Sequence, residues 1–473
     1  MIQSKNIILD YEQVEERLKE IVAMGKISEE EDIGTTTYGL PIRHYTIGNG
    51  KKEIVVSGAT HGCEIISTDF VLHLMEQLSN GTSRINLDEY KIHFVPMLNP
   101  EGYLISTSAI RQIIPREMPL EEAEKICKEY YEKSKQDDIE AAERVEQDRN
   151  PNHLRHFQEM FKDVSYTCIP EKYAAIRESV RRILEKHSDI PKGTLQVWSA
   201  NANGIDPQAN SEYNKVLTKI KNGEMRENDS SYVNDGRYAN MNDAHPGAIN
   251  CGFDPEKGFK LEPEIKAITG LLSKLSEKGT LHSYFNYHSV GGLIFQRPEV
   301  PTEEMGISTN TIWTRILENY AFSKFYARRT YKNATDKENS RYIVLTKRGK
   351  ITTSNDVLRI KYPRDILVEL SGMGGNPIGP YGDLKGNYTN LMQSNLKAFE
   401  FSVNFADISE KISSASYQMY RDKLKDGIPE NIVQQMYQII GTALNMMMSW
   451  IERFGRKTRR EVLHDFSQKS IER

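Results

Sequence analysis

The sequence predicts an α/β fold built around a parallel sheet. Short apolar runs rich in β-branched residues recur along the chain and end in turn residues, as strands buried on both faces of a parallel sheet do. The first of these runs, residues 53–57, is followed by apolar positions at helical spacing, namely Ile66, Phe70, Val71 and Leu74. In an open α/β sheet, ligands and catalytic groups collect at the carboxyl ends of the strands. We therefore expect the chemistry of this protein at such strand ends.

A helix and a hairpin are predicted before the first buried strand. Asp10 is a candidate N-cap with Gln13 as its reciprocal partner, and the helix should end near Gly25. Residues 33–42 and 43–48 alternate apolar and polar side chains around glycine turns, which is typical of hairpin strands.

Further buried strands are predicted along the rest of the chain. They cover residues 92–98, 281–287 and 366–370, and each runs into turn-forming residues. Glu262-Pro263-Glu264 opens an amphipathic helix, with proline in the first turn, where its missing N–H costs nothing.

Two regions lie outside this pattern. Residues 115–192 are rich in charged, helix-forming residues and are predicted to be a helical insertion on the surface, with its charge pairs on a solvated face. Residues 409–473 are predicted to be a C-terminal helical extension, which leaves residues 1–408 as the main domain. The extension carries a methionine-rich apolar stripe, which is typical of core packing or of a self-association surface, so we expect a homo-oligomer as one outcome.

Composition and charge argue against several classes of protein. A formal net charge of −4 gives no electrostatic reason to expect nucleic acid as a partner. No apolar run approaches membrane-spanning length, and residues 1–7 lack the pattern of a secretory signal, so we expect a cytoplasmic protein. The four cysteines are scattered without a CxxC pair, which argues against a disulfide framework and a thiolate zinc site.

The corner after the first buried strand carries a histidine and a glutamate. His61 and Glu64 stand three positions apart, and Gly58 and Gly62 permit the tight bend that would turn both side chains toward one point. Nitrogen and oxygen donors around one point suit zinc. A lone His–Glu pair is nevertheless common, so the pair gains weight only from further motifs at later positions of the chain.

Five motifs in a fixed order resemble the zinc metallocarboxypeptidase family. They are His61-Gly62-Cys63-Glu64, Asn99-Pro100-Glu101-Gly102-Tyr103, Asn203-Gly204-Ile205-Asp206, His288-Ser289 and Leu367-Val368-Glu369-Leu370. The resemblance covers roughly residues 10–406 and is broken by the helical insertion. It implies one α/β domain with a mixed, mostly parallel sheet between helices.

The resemblance also implies a role for each matching residue. His61, Glu64 and His288 would bind one zinc ion per chain and leave a fourth position for water. Glu369 would be the general base that takes the proton of the attacking water and passes it to the leaving amine. Asp206 would orient the imidazole of the first histidine ligand.

The match departs from the family at the positions that hold the substrate. Ala209 stands where the family has an arginine that grips the terminal carboxylate, and Ser199 follows Trp198 near the place of a second arginine that stabilises the oxyanion. Residues that could bind substrate in their place are the neighbours Gln208 and Asn210, the candidate replacement cations Arg111, Arg237 and Arg348, and Tyr342, which is nearest to the family's mobile tyrosine.

The leading interpretation is a zinc metallopeptidase, either a carboxypeptidase or a peptide-trimming endopeptidase, acting on a peptide substrate with cell-wall peptides as one candidate. An alternative is a zinc-dependent N-acyl-amino-acid deacylase, because aspartoacylase-like enzymes share the His-Gly-x-Glu corner. A third is a peptide-binding module that has lost turnover, suggested by Ala209 and Ser199.

Overall fold

The computed structural model describes residues 7–146, 159–188, 190, 192–211, 247–249, 253–254, 258–289, 294–296, 365–369, 377–389, 391–393, 395–397, 399–400 and 403. For residues 134–146, 209, 253–254, 258–259, 294–296, 365–369 and 387, only the backbone is described. The chain divides into two compact units, Met1–Pro298 with Thr335–Gln393, and Glu299–Ala334 with Ser394–Arg473. The elements below belong to the first unit. The predicted extension 409–473 lies outside the described residues, so the domain division stays a prediction.

Among the described residues of the first unit, the α-helices are α1 Tyr11–Ala23, α2 Ile65–Ser79, α3 Pro100–Arg111, α4 Leu120–Glu146, α5 Ala174–Lys186, α6 Pro207–Ser211 and α7 Pro263–Glu277. The strands described there are β1 Ser28–Glu29, β2 Gly34–Thr35, β3 Pro41–Ile42, β4 Tyr45–Ile47, β5 Lys52–Ser57, β6 Tyr90–Val95, β7 Phe253–Asp254, β8 Gly258–Phe259, β9 Leu281–His288, β10 Ile294–Gln296 and β11 Asp365–Glu369.

A mixed sheet forms the centre of the described structure. Its strand order is β1-β4-β6-β5-β9-β11-β10. The four inner strands β6, β5, β9 and β11 are parallel, and the edge strands β4, β1 and β10 are antiparallel. This arrangement confirms the predicted mixed, mostly parallel sheet. Because the chain moves from β5 to β6 on one side and to β9 on the other, the ends of β5 and β9 form a topological switch point, where α/β proteins bind their ligands.

Helices cover both faces of the sheet, which explains why successive residues of β5, β6 and β9 are buried whichever face they point to. On one face, Val55 and Tyr284 pack with Ile268, Leu272 and other apolar residues of α7. On the other face, the ring of Phe70 in α2 lies 4.5 Å from the ring of Tyr287. Strands enclosed on both sides lose the alternating pattern of a half-exposed strand.

The N-terminal elements largely follow the sequence. Asp10 and Gln13 form the predicted capping box at the start of α1, and α1 ends at Ala23, before Gly25 with its positive φ of 82°. The predicted hairpin differs in part. Strands β2 and β3 pair with each other, but β4 leaves them and joins the central sheet beside β6.

The segment 115–192 is helical where it is described, with α4 and α5 as its main elements. The charge pairs between Arg181 and the two glutamates Glu178 and Glu185 lie on an exposed face, as expected. The segment also has an inward face, because the side chains of Cys127, Phe161, Ile176 and Val180, among others, are buried. It is therefore more than a surface appendage, since part of the hydrophobic core belongs to it.

No helix in the described ranges combines the length and the apolarity that crossing a bilayer requires.

Candidate metal centre

The corner between β5 and α2 is fixed by its contact with α3. The backbone N–H of Gly58 donates to the carbonyl oxygen of Val95, and the N–H of Leu98 donates back to the carbonyl oxygen of Gly58. Gly62 is buried against Gly102 at the start of α3, so closely that a methyl group at position 62 would collide with the backbone of residue 102. Glycine at both positions allows the two chain segments to touch.

The side chains of His61, Glu64 and His288 meet at this corner. One ligand atom from each residue can be chosen so that all three lie within 4.8 Å of one another, and all three residues are buried. Oε1 of Glu64 lies 3.1 Å from Nδ1 of His61, and Oε2 lies 2.9 Å from Nδ1 of His288. The cluster is the one group of this kind among the described residues. The three residues that the sequence predicts as ligands are thus brought together.

Hydrogen bonds among these three side chains do not satisfy all their buried polar atoms, whereas a divalent cation would. Oε2 of Glu64 is buried and has no hydrogen bond of acceptable geometry within the described ranges, despite its short distance to His288. Glu64 occupies the N-cap position of α2, yet its side chain does not cap the helix. Two imidazole nitrogens and a carboxylate around one point are a common donor set of catalytic zinc sites. The residues present therefore fit zinc.

The buried charges of the site shift the pKa values of His61 and Glu64 in opposite directions. Burial by itself would lower the pKa of His61, but the carboxylates of Glu64 and Asp206 outweigh it and raise the pKa to about 10. Burial would likewise raise the pKa of Glu64, but His288 and His61 outweigh it and lower the pKa to about 2. A negative carboxylate held between two imidazoles also attracts a cation, which would compete with the proton for the ring nitrogens.

Asp206 stands behind the first histidine. Its Oδ1 lies 3.3 Å from Nε2 of His61, the ring nitrogen that faces away from Glu64, and its side chain is only 1% exposed. The same oxygen accepts a hydrogen bond from the backbone N–H of Gln208 at 2.8 Å. A carboxylate on the outer nitrogen of a ligand histidine fixes its tautomer and ring orientation. This is the placement that the sequence resemblance implies for Asp206.

Glu369 is placed by strand register. It is the last residue of β11, which runs parallel to β9, and it is directly paired with His288. Paired residues on adjacent strands are about 5 Å apart. The backbone of Glu369 is thus at the same end of the sheet as the cluster, and its side chain lies outside the described atoms.

The guanidinium of Arg111 is used by contacts within the fold, and its role in binding substrate stays a prediction. Its guanidinium donates to Asp10 Oδ2 at 3.0 Å, to the carbonyl oxygen of Ile114 at 3.0 Å, and to Gln13 and the carbonyl of Ile8. The residue ends α3, whereas Gly102 near the start of that helix touches the metal corner. About nine residues of helix place it roughly 13 Å farther along the axis. In the structure, Arg111 anchors the start of α1.

Asn210 is committed to the fold as well. Its Nδ2 donates to the carbonyl oxygen of Lys260 at 2.9 Å, and its Oδ1 accepts from the N–H of Glu262 at 2.8 Å. Both ends of the amide therefore have partners within the fold, and a role for Asn210 in binding substrate stays a prediction. Gln208 is half-buried beside Asp206, and its role stays a prediction. Arg237, Tyr342 and Arg348 lie outside the described residues.

Ser199 lies next to the metal corner. Its carbonyl oxygen accepts a hydrogen bond from the N–H of Gly62 at 3.4 Å, and its hydroxyl oxygen is 3.5 Å from Sγ of Cys63. The place just after Trp198, near which the sequence resemblance implies an arginine, therefore adjoins the site, and the short neutral side chain of Ser199 lies there.

Sequence reasoning missed the residues that hold the corner and the loop of Asp206. Asn99 caps α3 through the N–H of Gly102 and also donates to the carbonyl oxygen of Ala200 at 3.1 Å, which ties α3 to the segment before the loop. Asn201 and Glu262 are linked by a hydrogen bond of 2.8 Å. A signal existed for Asn99, because an Asn-Pro pair at a strand end predicts an N-cap.

Comparison with known proteins places the chain in a family. A model of the zinc carboxypeptidase family matches residues 14–376. No match is found among curated protein sequences.

Solved structures with a similar chain include bovine thrombin-activatable fibrinolysis inhibitor, with 14% identity, TM-score 0.43, and coverage of 85% of this chain and 99% of that one. Carboxypeptidase A from Helicoverpa armigera has 11% identity and TM-score 0.43 over 85% of this chain and 73% of its own. Murein-tripeptide amidase from Escherichia coli O157 has 11% identity and TM-score 0.30 over 78% of this chain and 90% of its own. These three similarities are too distant to add to the family match. Because that match spans most of the sequence, the chain belongs to the zinc carboxypeptidase family.

Proposed function

We propose that this protein is a zinc-dependent hydrolase that cleaves a peptide bond in a peptide substrate. The observation that carries the proposal is the convergence of His61, Glu64 and His288 on one buried point, with Asp206 on the outer nitrogen of His61. These three residues would hold one zinc ion. When bound there, zinc would polarise the scissile carbonyl and lower the pKa of a water molecule.

The remaining chemistry belongs to the protein. Asp206 would keep His61 in the tautomer whose Nδ1 lone pair faces Glu64 and the cation. Glu369, at the strand end beside His288, would accept one proton of the water as the water oxygen bonds to the carbonyl carbon. It would then deliver that proton to the amine nitrogen as the C–N bond breaks.

We further propose that the substrate is not gripped by an ordinary terminal α-carboxylate. Ala209 replaces the arginine that would bind one, and the amide of the adjacent Asn210 is used by Lys260 and Glu262. An alanine side chain has no donor for a carboxylate. Peptides with γ-linked residues, as in cell walls, are the candidate class.

The test combines zinc analysis, kinetics and substrate choice. Wild-type protein and Glu369→Gln should both retain one zinc per chain, while kcat/KM of the variant should fall by about 10² to 10⁴-fold. Substrates would be hippuryl-type C-terminal peptides, γ-D-glutamyl-diaminopimelate peptides and N-acyl amino acids.

Each outcome decides between the alternatives. Turnover of the hippuryl peptides alone would refute the proposed substrate class, and turnover of N-acyl amino acids alone would identify a deacylase. Zinc binding with no turnover of any substrate would identify a binding module.

A further inference from the structure

Glu262 is a buried carboxylate that holds the loop in front of it rather than its own helix. It occupies the N-cap position of α7 without a side-chain cap bond, and it is 0% exposed. Its Oε2 accepts hydrogen bonds from Nδ2 of Asn201 at 2.8 Å and from Nδ2 of Asn203 at 2.9 Å. The ammonium group of Lys260 lies 3.3 Å from Oε1, but that side chain is 64% exposed. The specific partners of this carboxylate are therefore the two amides.

Through Asn201, this contact reaches the residue before Asp206. With its Nδ2 on Glu262, Asn201 turns its Oδ1 toward the loop, where it accepts from the N–H groups of Asn203 at 3.0 Å and Ile205 at 3.1 Å. The backbone N–H of Asn201 closes the same turn on the carbonyl oxygen of Ile205 at 3.0 Å. The rotamer that Glu262 selects thus fixes the backbone immediately ahead of Asp206.

A second contact holds the chain just after Asp206. The backbone N–H of Glu262 donates to Oδ1 of Asn210 at 2.8 Å, and the backbone N–H of Asn210 donates to the carbonyl oxygen of Asp206 at 2.9 Å. Asp206 is therefore bracketed on both sides by contacts to one residue. Its carboxylate in turn lies 3.3 Å from Nε2 of His61.

We propose that Glu262 is a positioning residue of the metal centre, which keeps the carboxylate of Asp206 on His61. The inference rests on the proposed function, because it concerns the same zinc site. Removing the Glu262 carboxylate leaves two amide N–H groups without their acceptor, and the one on Asn201 is fully buried. The loop then relaxes, and the ring of His61 loses the partner that orients it. Partners that orient a metal ligand are worth about 10- to 100-fold in metal affinity.

The experiment measures the affinity for Zn²⁺ alone, by competition with a chromogenic chelator, together with thermal unfolding. Glu262→Ala should weaken zinc binding by about 10-fold, at the lower end of the range for such partners, because it acts through Asp206. Glu262→Gln should lose less zinc affinity than Glu262→Ala, since the amide oxygen of glutamine can replace Oε2 as the acceptor for both asparagines.

Glu53 supplies a matched control. It is a carboxylate 3% exposed near the start of β5, at the end of that strand away from the corner, and it bonds His93 at 2.6 Å and Lys278 at 2.6 Å. Glu53→Ala should lower the melting temperature and leave zinc affinity unchanged. A residue with a merely structural role at position 262 would behave like this control.

A double-mutant cycle with Asp206→Ala tests whether Glu262 affects zinc affinity through Asp206. If Glu262 acts through Asp206, Glu262→Ala should add no further loss of zinc affinity in the Asp206→Ala background. An equal loss in both backgrounds, or an equal loss in Glu53→Ala, would overturn the inference. If Glu262→Ala does not fold, Asn203→Ala at a half-buried position carries the same cycle, with a smaller loss expected.

The two proposals fail in different ways. Wild-type protein that binds no zinc, or binds it equally well after His61→Ala, would overturn the proposed function and this inference with it. Zinc binding that requires His61 but is unaffected by Glu262→Ala would overturn this inference alone.

Discussion

The close contact between Gly62 and α3 gives a sharp prediction about the metal corner. A methyl carbon added at position 62 would lie 2.5 Å from Cα of Gly102 and closer still to its carbonyl group. Carbon atoms in ordinary contact are about 3.5 to 4.0 Å apart. Gly62→Ala must therefore separate the corner from α3 by about 1 Å or more, and backbone atoms on both sides leave no flexible side chain to yield.

The magnitude follows from that displacement. Overpacking of this kind costs about 1 to 3 kcal/mol in the free energy of unfolding. Position 62 lies between His61 and Glu64, so the shift moves the two ligands relative to His288. A misplacement of about 1 Å in a catalytic site costs about 10²-fold in rate. We expect a loss of that order in kcat/KM, and weaker zinc binding.

Gly270→Ala is the control. Gly270 lies inside α7, and a methyl group there meets nothing within 4 Å. Alanine should stabilise the helix by about 0.5 to 1 kcal/mol and leave zinc binding unchanged. The assays are urea unfolding, chelator competition and hydrolysis of the best substrate. If Gly62→Ala binds zinc and unfolds as the wild type does, the corner is not packed against α3 in the way described.

Two further predictions concern groups outside the His61, Glu64 and His288 cluster. Burial and the neighbouring His93 lower the pKa of His44 to about 4 from 6.5, so the stability it contributes is present above pH 6.5 and is lost as the pH falls toward 4. The loss in the free energy of unfolding amounts to about 3 kcal/mol. In urea unfolding, the free energy of unfolding of His44→Gln should therefore change by that much less than the wild type's between pH 6.5 and pH 4. The same pH dependence in both proteins would contradict this prediction. Arg111→Ala should lower the free energy of unfolding by only about 2 kcal/mol, because Asp10 keeps its hydrogen bonds to Arg116. The affinity of this variant for zinc should equal that of the wild type. A loss of activity with an unchanged free energy of unfolding would instead support Arg111 as a substrate-binding residue.

The helical segment 115–192 shows where composition alone misleads. Its sequence is dominated by charged residues, which predicts a solvated surface insertion. Apolar residues such as Phe161 and Val180 nevertheless face inward. Gly382 packs closely on the backbone of Lys128 in α4, and the N–H of Leu384 donates to Glu124 at 3.0 Å. These partners lie more than 250 positions away in the chain, so no local pattern could indicate them.

Arg111 and Asn210 show the same limit for single residues. Residue type and distance from a motif made both of them candidates for binding substrate. Their side chains are used by Asp10 and by the backbone around Glu262, respectively. A polar side chain is available to a ligand only if the fold has not already satisfied it, and that is decided by contacts between distant segments.

The sequence by itself predicted the donor residues of the candidate site. The order of donor residues at strand ends, from His61 and Glu64 to His288, indicated both a zinc-type donor set and the α/β sheet that would collect it, because parallel strands bring their carboxyl ends to one edge. Only the tertiary structure decided which polar groups support those donors. The placement of Asp206 on His61, and of Glu262 behind the loop that carries it, depends on distances between segments far apart in the chain, which periodicity and motif spacing do not encode.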